Sequence, residues 1–154
     1  MRHVVLYMLV VPLALALASP YGAAKDETVD EMKSRFEKAR AEDRAELGVR
    51  IAQHQLRNAD KLYRDGHVEQ AHAAVGDIVF YSEKARDAAT QTRKHLKNVE
   101  IDVRKMAEKL RDIKRTLVFD DQPPVEQAIR RLEDIRTTLL KEMFAKDEKK
   151  EQKK

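Results

Sequence analysis

An apolar heptad that runs from Val68 to Leu117 without a stutter constrains this chain more than any other feature. Positions seven apart read Val68, Val75, Ser82, Ala89, Leu96, Val103, Leu110 and Leu117, and the interleaved set reads Ala71, Ile78, Ala85, Thr92, Val99, Met106 and Ile113. Such a pattern lays one stripe of a helix against a partner helix. As one helix over roughly 68–118 it would be on the order of 75 Å long, at about 1.5 Å per residue. The small side chains of Ser82, Ala85, Ala89 and Thr92 mark where a partner approaches closest.

Breakers are scarce, with four glycines and four prolines in 154 residues, too few for a multi-stranded sheet, a dinucleotide-binding crossover or a phosphate loop. Asp65-Gly66-His67 reads as a helix–helix turn, and Phe119 to Pro124 as a second boundary with proline in the first turn of the next helix. The expected fold is all-α: an elongated, antiparallel, coiled-coil-like arrangement of three helices, about 27–64, 68–118 and 124–145, with one very long central helix. A charged flexible tail over 146–154 follows. Folding back about Gly66 pairs positions whose numbers sum to about 132, setting Leu47 against Ala85 and Phe36 against Leu96. Folding about residue 121 sets Leu132 against Leu110 and Leu139 against Val103.

Residues 1–24 differ in kind from the rest. Arg2 precedes the apolar run Val4 to Ala18, and Gly22 and Ala24 supply small residues before the next charges at Lys25 and Asp26. That is the layout of a secretory signal peptide, with cleavage after Ala24 or after Ala18. The run is short for a membrane span and is interrupted by Pro12. We therefore expect a chain exported by a cleaved signal peptide to the periplasm or outside, not membrane-spanning after cleavage, with a helical domain over 25–145. Absent cysteines remove disulfide frameworks and thiolate sites. All but one of the charged residues lie beyond residue 24, where such density suits long helices packed along narrow seams.

Around the first turn, Ala59, Leu62, Tyr63, Gly66, Val68, Ala71 and Val75 resemble one tetratricopeptide unit, over about residues 52–85. The resemblance implies a local helix hairpin of that type and a protein-binding role. In charge balance, size, leader and helical arms the chain is also similar to the small basic periplasmic holdase chaperones of the Skp kind, which implies a holdase as an alternative.

Glu69 and His72 form a Glu-x-x-His spacing that places carboxylate and imidazole on one helical face, with Asp65 and His67 nearby. One copy falls short of the four converging ligands a metal site needs, so no metal or cofactor is expected. A metal-binding helical sensor built on His67, Glu69 and His72 is the third reading. His54 and His95 stand alone and read as surface histidines. No nucleophile, base and acid assemble into a catalytic set, so an enzyme is not expected.

Bases cluster from Arg93 to Arg115, nine against four acids. Lys94, Lys97, Arg104, Arg111 and Arg115 recur opposite the apolar seam as a candidate ridge for an anionic surface. Phe80, on an outward heptad position, and Tyr81 beside it form a candidate contact with another subunit. The sequence thus reads as an exported, non-enzymatic helical interaction or scaffold protein of the cell envelope. Its partner is a protein or an anionic envelope polymer or lipid, with self-association possible and nucleic acid not expected.

Overall fold

A computed structural model describes residues 27–151, with side chains described through residue 145, so the expected signal peptide at 1–24 lies outside the described residues. All regular structure among the described residues is helical: α1 Val29–Lys38, α2 Ala41–Arg64, α3 Val68–Thr92, α4 Leu96–Thr116 and α5 Gln122–Glu151, with a 3-10 turn at Phe119–Asp121. The all-α class therefore holds. The three-helix arrangement does not, because the first and second expected helices are each broken in two. Helical backbone also continues to Glu151, into the segment expected to be a flexible tail.

Local chemistry explains the expected boundaries. Thr28 caps α1, its hydroxyl accepting from the Glu31 amide while the Glu31 carboxylate accepts from the Thr28 amide at 2.8 Å. At the end of α2, Gly66 adopts φ +80 and the His67 amide donates to the Leu62 carbonyl at 2.9 Å, the bond pattern that closes a helix on a left-handed glycine. Pro123 and Pro124 fall in the first turn of α5, where their missing N–H groups cost nothing.

The helices α2 to α5 form a ring. Helix α2 runs antiparallel to α3, with Gln55 hydrogen-bonded to Asp77 at 2.5 Å, a pair whose numbers sum to the expected 132. Helix α4 runs antiparallel to α5, with Arg111 paired to Glu133 at 2.5 Å and Arg136 to Glu100 at 2.7 Å. The hairpins then lie side by side. Lys94 reaches Glu42 at 2.8 Å and Lys109 reaches Asp60 at 3.7 Å, so α2 and α4 are parallel neighbours. Arg131 meets Glu83 and Arg93 meets Glu142, so α3 and α5 are parallel neighbours too. Consecutive helices α3 and α4 touch little and sit across the diagonal.

The break that replaces the long central helix occurs at Arg93-Lys94-His95, where Arg93 (φ 57) and His95 (φ 62) are both left-handed. Each such residue costs about 1–2 kcal/mol when it is not glycine. Folding back gives each ring helix two flanking neighbours instead of one, and it buries Val49 and Val99 along α2/α4 and Val75 along α3/α5. Burying each valine is worth roughly 1.5 kcal/mol or more. Packing outweighs the strained turn.

Helix α1 departs from the expected 27–64 helix at Ala39 and Arg40, both in extended backbone. It folds onto the α2/α3 hairpin, burying Met32 and Phe36. Phe36 meets Tyr81 edge to face, ring centroids 5.3 Å apart, and not Leu96, its expected partner in a single straight hairpin.

Candidate interaction surface

Tyr81 belongs to the core. It is 6% exposed, pressed between Phe36 and Phe80, so the expected contact role does not fall to it. A helix touched by α1, α2 and α5 buries more of its circumference than a heptad seam, and Tyr81 lies on the face α1 covers. Burial raises the Tyr81 phenol above its ordinary pKa, against the opposing charge of Lys33.

Phe80 keeps the exposure expected of it, at 46%. It borders an open groove of about 370 Å³ between α1, the start of α2 and α3, with Arg44, Lys84, Asp87 and Gln91 around it. Lys84 holds its ammonium 5.3 Å from the Phe80 ring centroid, a cation–π contact that shields one face of the ring and leaves the rest accessible. The groove thus sets the apolar Phe36, Phe80 and Ala88 among side chains of both charge signs.

The basic ridge is divided and largely neutralised. Lys94 lies in the α3–α4 turn rather than on α4 and pairs with Glu42. On α4, Arg104 faces Glu108 at 3.9 Å, Arg111 faces Glu133 at 2.5 Å and Arg115 faces Asp112 at 3.0 Å. Lys97 is exposed on the same helix. Glu108 and Asp112 belong to the sequence count already, and the fold adds Glu42 and Glu133 from neighbouring helices, so the field of the ridge is weaker than that count implies.

At the opposite end of the bundle, Val118 and Phe119 are 68% and 83% exposed. The expected central helix ends at about Val118 and the expected boundary begins at Phe119, with no contact role for either. The apolar pair ahead of Asp120 and Asp121 was the available signal. Phe144 is likewise exposed near the end of α5.

The histidine cluster does not assemble into a metal site. Among the described residues no group of three or more His, Asp or Glu is arranged to hold an ion. His67 and Glu69 are exposed, while His72 turns inward and meets Tyr63 edge to face at 5.8 Å. Burial pushes the Tyr63 phenol up to about 12, helped by the charge of Asp121.

Inside the bundle two polar links join elements that apolar contact alone would leave free to slide. Lys33 of α1 reaches Asp77 of α3 at 2.6 Å, and Gln55 of α2 donates to the same carboxylate oxygen. Burial disfavours the Lys33 charge, yet the hydrogen bond and charge of Asp77 together carry its pKa above the ordinary value. Glu100, 8% exposed, receives Arg136 and fixes α4 against α5.

Comparison with protein-family models, with curated proteins and with solved structures gives no match. Among the described residues no helix is long and apolar enough to cross a membrane.

Proposed function

We propose that this chain is a non-enzymatic helical interaction or scaffold module, exported to the cell envelope, that meets a protein partner through the Phe80 groove. The observation that carries the reading is the closed seam. Ile78, Ala85, Ala89, Val103, Leu110 and Leu132 are fully buried, whereas Phe80 remains open to solvent in a groove with a mixed-charge rim. A holdase of the basic periplasmic type needs apolar surface left uncovered between its arms, and a closed ring of helices offers little. The metal-sensor alternative lacks a converging ligand set among the described residues.

Two measurements on the mature chain test this. Protein in molar excess should leave the heat aggregation of an unfolded client unchanged, and suppression would favour the holdase instead. Phe80→Asp should abolish capture of whatever envelope protein the wild type retains while leaving the circular dichroism melt intact. Equal capture by both chains would move the contact elsewhere.

A further inference from the structure

Sequence and backbone disagree most at residues 92–96. The heptad passes through Thr92 and Leu96 in phase, and Thr92-Arg93-Lys94-His95 contains neither glycine nor proline. Yet the chain reverses there through two left-handed non-glycine residues, Arg93 and His95, and the side chains of residues 93–95 are exposed. A turn written in helix-compatible residues, strained in its backbone and free of buried side chains, has a second conformation available to it.

We propose that this turn is a hinge and that its partner is a second copy of this chain. In the exchanged dimer α3 and α4 straighten into one helix over residues 68–116, and the α4–α5 hairpin of each copy packs on the α2–α3 hairpin of the other. Three observations carry the proposal. Each hairpin is paired within itself, through Gln55–Asp77 in one and Glu100–Arg136 in the other, so each can move as a unit. The contacts between hairpins, α2 with α4 and α3 with α5, re-form between copies without a new interface, as domain exchange requires. Finally, the buried Ala85, Ala89, Val99 and Val103 fall on one stripe of a continuous helix. Straightening therefore presents both core faces in the same direction and removes both positive φ angles. The proposal is independent of the scaffold reading, since it concerns the bundle's own core faces and not the Phe80 groove.

The chain has no cysteine, so crosslinking can be read without background. Glu83 and Arg131 meet across the α3/α5 seam, and Asp60 and Lys109 across the α2/α4 seam. Glu83→Cys with Arg131→Cys, refolded at high concentration and treated with a short bis-maleimide, should give a dimer fraction whose chains are covalently joined, and a monomer fraction linked only within chains. Asp60→Cys with Lys109→Cys serves as a second pair should the first disturb folding. Glycine takes positive φ freely, so Arg93→Gly with His95→Gly should lower the dimer yield at least about tenfold, since relief of turn strain no longer favours exchange. Intrachain links alone in the dimer fraction, no dimer at any concentration, or an unchanged yield in the glycine variant would each overturn the proposal.

Discussion

The ring of Phe36 meets the ring of Tyr81 at 87° with centroids 5.3 Å apart, and this edge-to-face contact is the apolar anchor of α1 on α3. Its polar counterpart is the bond from Lys33 to Asp77 one turn away. Phe36→Ala should therefore release α1 rather than unfold the ring, at a cost of about 3 kcal/mol. Hydrogen exchange checks this: amides of residues 29–38 should lose protection while those in the middle of α2 and α3 keep theirs. Uniform loss of protection would show that α1 is integral to the bundle's cooperativity.

Two glycines in helix interiors should answer oppositely to alanine. A Cβ on Gly48 would lie 2.9 Å from the Tyr81 carbonyl oxygen and 3.2 Å from the Ala85 Cβ, so α2 and α3 would have to separate. Gly48→Ala should cost about 1–3 kcal/mol. A Cβ on Gly76 meets nothing within 4 Å, and Gly76→Ala should stabilise α3 by about 0.5–1 kcal/mol. Denaturant melts of the two variants settle both signs.

Alkaline titration follows from the buried phenols. The folded Tyr63 ionises near 12, above its ordinary value of 10, because burial disfavours the phenolate. The folded state thus holds the proton more tightly than the unfolded chain. Stability from this group is complete below about pH 10 and is lost as pH rises from there toward 12. Phenolate absorbance should show delayed ionisation of Tyr63, and Tyr63→Phe should flatten the alkaline fall in melting temperature. An early, normal ionisation would mean that the phenol is solvated.

For the α4 ridge, the acids beside Arg104, Arg111 and Arg115 decide the expectation. The wild type should not sediment with anionic vesicles at physiological salt, where the Debye length is about 8 Å. Sedimentation that disappears in the triple variant Lys97→Glu, Arg104→Glu, Arg111→Glu would instead make the ridge a lipid-binding face.

Much of the fold was legible because hydrophobic period and turn chemistry are local. The hairpin at Gly66 and the boundary at Phe119 to Pro124 announce themselves in residue type, and the pairs Gln55–Asp77 and Arg111–Glu133 lie on or near the registers those turns imply. The breaks at residues 39–40 and 93–95 carry no such signature. Ala39, Arg40, Arg93 and Lys94 are ordinary helix residues, and only the gain from a second layer of packing bends the chain there. Tyr81 is buried for the same reason, since α1 covers a face of α3 that lies outside the heptad seam. Phe80 remained readable because its exposure depends on its own position around α3.

Helix α3 is enclosed on so many sides that, past its first turn, its exposed residues reduce to a single file: Ala73, Gly76, Phe80, Lys84, Asp87 and Gln91. Every other position along that stretch answers at least partly to the interior. Substitution in this file can change what the protein meets without changing how it is built, so selection on binding and selection on folding act there on separate residues. Phe80 is the one large apolar side chain in the file.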